Sequence, residues 1–386
     1  MSYTLNPTQS TMVPSGLKTE ILTIPAQSTP AFGSGFFTIL LNEQNLKCHE
    51  LQLQFLCSAL SGLTGGTPSV VPAQFWIEKI EILMSNTTLQ TIYGNEIFIQ
   101  NQLSEIDEQR KKINIAAGPY DNATVRTALN SVNNLYTVTI PSLFNQSHPT
   151  LLTAGHSVLL RVTMRNLSDL VYLNGATGTP IFTIQNCNLV ARITRLPPQV
   201  ASGELMALTK KPLGYQFSYN TSQPFTIQSG ASTSTLVLSS ITGYVTHLFF
   251  VCRSSSTLTA NIGMYDYLPI TSFAINDSGN TNIVGGQNLS SSFSLLSQGR
   301  WNSASSYLTE SFTAISSANV YLYAFCVDSV EVMKTGKKGL SGRQFVGNET
   351  LQIVFPSPLS STTQVDVYAY TSQTAVFTPN SVSRQD

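Results

Sequence analysis

Short runs of alternating apolar and polar residues dominate the chain, and Gly, Pro, Asn and Ser separate them. Leu51–Cys57, Val158–Met164, Cys187–Ile193 and Val365–Tyr370 each place apolar side chains at every second position. A period of two indicates strands that bury one face. Tyr321–Val327 is apolar on both faces, which predicts a strand between two layers. Many short strands with frequent turns predict sandwiches or barrels.

Helical periodicity is rare. The clearest case is Ile99–Ile113, whose charged residues are interpreted as a solvated helix face, and a second short helix is predicted over Thr124–Val132. Together they predict a helical insert at about residues 96–133. Leu289–Leu296 and Leu308–Ile315 also show helical spacing.

A proline pair near the middle of the chain predicts a boundary. Pro197 and Pro198 end a strand pattern, because proline cannot donate to a strand ladder, and the residues up to Gly214 are interpreted as a connector. The predicted organisation is an N-terminal arm at 1–17, a first unit at 18–205, a second unit at 206–372 and a C-terminal arm at 373–386.

The two halves share an order of elements. Ile77–Ile82 leads through a polar turn to Ile92-Tyr93-Gly94 and a helix. Ile270–Ile275 leads through a polar turn to Ile283–Gly286 and another predicted helix. Because the order repeats at similar depth in each half, we predict an internal duplication.

Charge is scarce and balanced. Charged residues make up 10% of the chain, with 20 Lys plus Arg against 20 Asp plus Glu. Specific binding of nucleic acid is not expected, because such proteins need surplus cations to displace counterions. A neutral, charge-poor surface favours association with other subunits.

The cysteines are odd in number, far apart and set in apolar runs, so we expect buried, reduced thiols and assembly in a reducing compartment. They contain no CxxC pair that would suggest zinc. No signal peptide and no run of 18 apolar residues is recognised. The cysteines are Cys48, Cys57, Cys187, Cys252 and Cys326.

No catalytic, cofactor-binding or metal-binding residue is predicted. The chain has no GxSxG, HExxH or P-loop motif. Glu78 and Glu81 are three apart on a strand and are expected on opposite faces, while Glu96, Glu105 and Glu108 belong to the helical insert. The histidines are too dispersed for a metal site, and the last is interpreted as structural; they are His49, His148, His156 and His247.

Three stretches resemble double jelly-roll major capsid proteins of the adenovirus and tectivirus lineage, with the nearest likeness to those of polinton-like viruses and virophages. In Trp76–Leu103 a strand leads into a Gln-Thr-Ile-Tyr-Gly turn and a helix. Gln223–Arg253 resembles the entry into the second barrel, and Gly347–Tyr370 resembles its closing strand pair.

The resemblance implies an all-β chain of two tandem eight-stranded jelly-roll barrels, with short helical inserts in loops. It implies a non-enzymatic homotrimer of pseudo-hexagonal outline that tiles an icosahedral virion shell. Its partners would be neighbouring capsomers, vertex (penton) proteins and minor capsid proteins. The loops of this chain are modest, so large external towers are not expected.

Two alternatives remain open. A carbohydrate- or receptor-binding β-sandwich, of the spike or fibre kind, needs exposed aromatic side chains gathered on one surface. Trp76 and Trp301 are the two tryptophans, and Trp76 lies in a strand-like run. A sandwich-fold glycosidase would need two acids brought together in space.

The polar termini generate a first prediction. As arms, they are expected to clamp neighbouring subunits or to face an internal membrane. Deleting Met1–Pro14 should leave the trimer intact and impair shell assembly, as judged by light scattering and electron microscopy. Normal particles from the truncated chain would refute an assembly role.

Overall fold

The computed structural model describes most of the chain. The described residues are 19–104, 107–119, 123–145, 150–152, 156–254, 267–277, 279, 282–288, 320–325 and 342–385. The predicted N-terminal arm and the helices predicted at 289–296 and 308–315 lie outside them.

Antiparallel strands make up most of the described structure. Those of the first half are β1 Thr19–Pro25, β2 Phe36–Leu41, β3 Leu46–Cys57, β4 Ser61–Thr64, β5 Ser69–Val70, β6 Ile77–Met84, β7 Thr87–Tyr93, β8 Asn134–Thr139, β9 Thr150–Leu152, β10 Val158–Met164, β11 Val171–Tyr172, β12 Thr177–Ile181 and β13 Ile184–Arg195. Those of the second half are β14 Leu213–Ile227, β15 Thr233–Val237, β16 Thr242–Ser254, β17 Ser272–Asn276, β18 Asn282–Asn288, β19 Val320–Ala324, β20 Arg343–Val346, β21 Thr350–Val354, β22 Thr363–Phe377 and β23 Val382–Gln385.

The helices are few and short. They are α1 Gly94–Ser104, α2 Asp107–Ala117, α3 Ala123–Asn130 and α4 Pro198–Lys210, with 3-10 turns at Ala73–Trp76, Leu143–Asn145 and Leu167–Asp169. No helix in the described part of the chain has the length and apolar character needed to cross a bilayer.

The first half forms a jelly-roll barrel. One sheet has the order β1-β13-β3-β8, with β9 also paired to β3, and the other has the order β2-β10-β6-β7. Two short ribbons, β4 with β12 and β5 with β11, extend from the barrel. Apart from the β6–β7 hairpin, neighbours in the two sheets are distant in sequence, as the Greek-key connections of a jelly roll require.

The second half repeats this topology. Its sheets have the orders β14-β22-β16-β19 and β15-β21-β17-β18, while β20 pairs with β16 and β23 with β22. Counting the eight principal strands of each half in sequence, both barrels place strands 1, 8, 3 and 6 in one sheet and strands 2, 7, 4 and 5 in the other. The predicted repeat of strand, turn and strand is confirmed by the β6–β7 and β17–β18 hairpins.

Buried residues alternate along the strands as the sequence predicts. On β10, Val158, Leu160 and Val162 are buried and the residues between them are half-buried. Trp76 anchors the first core: its indole N–H donates to the carbonyl oxygen of Val71 at 2.7 Å. Because the indole is fully buried and this donor is satisfied, Trp76 contributes packing without a desolvation penalty.

The helical insert lies where the sequence predicts it. The described parts of Ile99–Ile113 are helical, in α1 up to Ser104 and in α2 from Asp107, on either side of residues 105 and 106, which lie outside the described residues. Helix α1 begins at Gly94, where a Cβ atom would collide with the carbonyl oxygens of Gln74 and Ile77. Glycine therefore lets the helix start directly against β6.

The predicted connector after the proline pair is instead helix α4. The prolines do end β13, as predicted, but proline also suits the first turn of a helix because its missing N–H has no partner there. Ala201 and Leu208 are buried, and Lys47 pairs with Glu204 at 2.7 Å between the nitrogen and oxygen atoms.

The predicted C-terminal arm also forms strand structure. β22 continues to Phe377 with Gln373, Ala375 and Phe377 buried at every second position, and β23 folds back to pair with it. The polar composition of the segment hid this alternation. The predicted domain bounds are otherwise not tested and stay a prediction.

Replacing Trp76 by Ala should lower the free energy of unfolding by about 3–5 kcal/mol, because it leaves a large cavity in the first core. Urea denaturation measures the effect. Tyr244→Ala is the control, since this side chain is 67% exposed and should cost under about 0.5 kcal/mol. Similar losses in both variants would contradict the assignment of the core.

Candidate functional site at the junction of the two barrels

Glu78 and Glu81 do not form a paired acid site, while the Glu105 and Glu108 side chains lie outside the described part of the structure. Glu81 lies on β6 and pairs with Lys79 at 3.4 Å and Arg161 at 3.5 Å between nitrogen and oxygen atoms, while Glu78 is exposed. Within the residues that the structure describes, no group of three His, Cys, Asp or Glu side chains could hold a metal ion.

The described cysteines are buried free thiols. They are Cys48, Cys57, Cys187 and Cys252, whereas Cys326 lies outside the described residues. Burial raises the pKa of Cys48 and of Cys57 to about 12 and also raises the pKa of Cys187 and Cys252. The thiolate is the reactive form, so these thiols are poor nucleophiles and ligands at neutral pH.

Two histidines are fully buried near the contact between the halves. The His247 ring on β16 lies edge-on to Tyr370, with 6.0 Å between ring centroids. His156 Nε2 lies 2.6 Å from the carbonyl oxygen of Thr378. His148 falls outside the described residues, and His49 is partly buried beside the hydroxyl of Thr194.

The sheet β14-β22-β16 is buried on both faces. On β22, Val365, Val367 and Ala369 belong to the second core, whereas Tyr368 and Tyr370 join the core cluster of the first barrel. The sequence pattern of this strand predicted one polar face. The first barrel covers that face. Successive side chains of β22 therefore point alternately into the core of the second barrel and into the core of the first.

Aromatic rings pack at the contact between the barrels. The Tyr368 ring stacks on its cross-strand neighbour Phe249 of β16 at 4.7 Å between ring centroids, and it meets Tyr93 of β7, in the other barrel, at 5.4 Å in a tilted arrangement. Tyrosine suits this position because its ring is apolar and its hydroxyl can bond to a polar partner on the other barrel.

Side chains of α1 donate hydrogen bonds to the hydroxyl groups of Tyr368 and Tyr370. The Asn95 side-chain amide donates to the Tyr368 hydroxyl oxygen at 3.1 Å, and the Gln100 amide donates to the Tyr370 hydroxyl oxygen at 2.9 Å. Both pairs are buried and link residues about 270 positions apart. Such bonds fix the relative position of the barrels more than they add stability.

A buried carboxylate lies at the centre of this junction. Glu96 is 1% exposed, and its Oε2 accepts hydrogen bonds from the Tyr93 backbone N–H at 3.0 Å and from the Asn220 amide of β14 at 2.6 Å. Its Oε1 accepts a bond from the Gln100 amide at 3.3 Å. Burial raises the pKa of Glu96 to about 7, partly offset by the bonds from Asn220, Tyr93 and Tyr370.

A second polar bridge lies in the middle of β7. The Gln90 amide donates to the backbone oxygen of Ser218 on β14 at 3.1 Å, and its Oε1 accepts from the backbone N–H of Leu143 at 3.0 Å. One buried side chain therefore satisfies backbone groups on both barrels.

Sequence reasoning missed this site. Glu96 was assigned to the helical insert without a role, and Asn220 was not singled out. The available signal was the pair of tyrosines at alternate positions of a strand whose other face is apolar.

Large apolar side chains are also exposed on the surface. Leu56 and Leu135 are paired across β3 and β8, whereas Tyr244 and Val346 lie on a diagonal of the β16–β20 ladder, opposite Gln344 and Thr242. Larger apolar patches suit contact with other proteins. The exposed large apolar residues include Ile21, Phe36, Leu56, Ile115, Val132, Leu135, Ile181, Met206, Val237, Tyr244 and Val346.

Solved structures with a similar fold include viral capsid proteins. The chain is similar to VP54 of PBCV-1, fitted into a reconstruction of the virophage Sputnik, with a TM-score of 0.66 and 14% identity over 96% of this chain and 97% of that one. It is similar to a chain of the Sputnik virophage structure, with a TM-score of 0.59 and 11% identity over 95% and 88% of the two chains.

The major capsid protein of mavirus is also similar, with a TM-score of 0.53 and 9% identity over 100% of this chain and 95% of that one. The sequence matches no protein-family model and no curated protein. The fold is therefore the double jelly roll, which confirms the fold class predicted from the sequence, and the likeness resides in structure far more than in sequence.

Replacing Gln90 by Ala should lower the free energy of unfolding by about 2–3 kcal/mol, because it removes two buried hydrogen bonds to backbone groups. Urea denaturation measures the change. Gln352→Ala is the control, because Gln352 is exposed on β21, and it should cost under about 0.5 kcal/mol. Equal effects would show that the Gln90 bridge contributes little.

Proposed function

We propose that this chain is a major capsid protein whose trimers, pseudo-hexagonal in outline, tile an icosahedral virion shell. The observation that carries the proposal is the pair of jelly-roll barrels of identical strand order, shared over at least 95% of the chain with three viral structures. Three copies of two like barrels give six similar units, which is what an approximately hexagonal tile needs.

The junction supports this proposal physically. A tile made from tandem barrels keeps its outline only if the two barrels hold a fixed orientation. Here the β14-β22-β16 sheet is shared by two cores, and buried amides of α1 meet the tyrosine hydroxyls of β22. Contacts of this kind make the junction rigid, because a shift of one barrel against the other would leave buried polar groups without hydrogen bonds.

The partners follow from the proposed role. They are neighbouring copies within the trimer, neighbouring capsomers, and the penton and minor capsid proteins of the shell, with an internal membrane as a further option for the termini. A source among polinton-like viruses is part of this proposal. Equal numbers of acidic and basic residues argue against specific nucleic-acid binding.

A structural rather than catalytic role belongs to the same proposal. It is supported by the protonated, buried thiols of the described cysteines and by the ion pairs that engage Glu81. A carbohydrate-binding sandwich is disfavoured because Trp76 is fully buried and offers no platform for a sugar ring.

The test is the assembly state of the full-length chain. Gel filtration with light scattering should give three times the chain mass of 41.9 kDa, and electron micrographs should show particles of hexagonal outline. Glycan-array binding and glycosidase assays on the same sample serve as controls. A monomer that binds glycan would favour the receptor-binding alternative, and hydrolysis of a glycoside would favour the enzyme.

A further inference from the structure

The junction contains a buried carboxylic acid whose described partners are uncharged. Among the described residues no Lys, Arg or His side chain forms an ion pair with Glu96, which is 1% exposed. The hydrogen-bond partners of its carboxylate among the described residues are neutral: the Tyr93 N–H, the amides of Gln100 and Asn220, and the Tyr370 hydroxyl. Burying a carboxylate in this way is costly, and protonation removes the cost.

The surroundings also offer a partner for the protonated acid. Asn220 donates through Nδ2 to Glu96, while its own buried Oδ1 accepts no hydrogen bond from the described residues. Rotation of the amide by half a turn exchanges these two atoms. A protonated carboxyl group could then donate its O–H to Oδ1, so each protonation state has a bonding arrangement across the two barrels.

We propose that Glu96 acts as a proton-operated latch between the barrels, which fastens the junction when it takes up a proton and loosens it when it releases one. The latch joins α1 of the first barrel to β14 and β22 of the second. It concerns the chain itself and does not depend on the proposed role in a shell, so the two proposals fail separately.

The direction of the pH effect follows from proton linkage. Glu96 takes up its proton with a pKa of about 7 in the folded chain, against an ordinary value of 4.5. Between these values the folded chain binds more protons than the unfolded chain, so stability falls as the pH rises from about 4.5 to about 7. Below this window the stabilisation is complete, and above it the stabilisation is lost.

Other titratable groups face the same region and must be separated from Glu96. Burial raises the pKa of Tyr93, Tyr368 and Tyr370, so these phenols stay neutral across the window. His247 lies edge-on to Tyr370. Besides Glu96 itself, the charged side chains that act on these phenols are Asp366 and Arg165 at Tyr368 and Glu81 at Tyr93.

Glu96→Gln tests the latch in the full-length chain. Gln keeps the shape and can still accept the Tyr93 N–H bond, as Glu and Gln both do at this position of a helix, but it cannot titrate. The equilibrium constant for unfolding, or hydrogen exchange in α1 and β14, is followed from about pH 5 to pH 8. The ratio of the wild-type constant to that of the variant should rise on the order of a hundredfold over this range.

Glu78→Gln is the control, because Glu78 is exposed, and its pH profile should match that of the wild type. A Glu96→Gln profile that retains the wild-type pH dependence would assign it to another group, such as His247, and overturn the latch.

A second variant covers the case in which Glu96→Gln does not fold. Asn220→Ala removes a hydrogen bond from both protonation states, but the bond to the ionised carboxylate is charge-assisted and the stronger of the two, so the midpoint of the wild-type transition should move to higher pH. Infrared difference spectra should show a protonated carboxyl band that titrates at the same midpoint. An unmoved midpoint in Asn220→Ala, or no such band in the wild type, contradicts the proposal.

Discussion

The burial of one sheet on both of its faces is the constraint on which the molecule depends. Strands β16 and β22 contribute Leu248, Phe250 and Val367 to the second core and Phe249 and Tyr368 to the first. A sheet of this kind cannot satisfy one core without presenting a matching surface to the other. The two barrels therefore form a single packed body, although each has the full strand set of an independent jelly roll.

Polar groups inside this apolar contact give it a unique register. The tyrosine hydroxyls of β22 meet the amides of Asn95 and Gln100, and the Gln90 amide satisfies backbone atoms of both halves. Apolar surfaces alone would tolerate sliding, since dispersion and the hydrophobic effect have little directionality. Each buried hydrogen bond adds little net stability, but its loss in a shifted arrangement is expensive.

The sequence predicts features that arise from local pattern, and it fails where the other half supplies the environment. The alternation along β10 and β13 gave correct strands and correct core faces. The same reasoning predicted a polar outer face for Val365–Tyr370, although Tyr368 and Tyr370 are buried by α1 and β7. Helix α4 was missed because a proline pair indicates the end of a strand as readily as the start of a helix.

The corresponding strands of the two barrels, β13 and β22, have the same topological place and opposite surroundings. β13 exposes Arg192 on its outer face, whereas β22 buries Tyr370 at the junction. If the halves arose by copying of one ancestral gene segment, the copies have since become non-interchangeable. A chain built from two first halves would bury Arg192 at the junction between the barrels, where a charge without a partner is costly. The order of the two halves is therefore fixed by the chemistry of this contact.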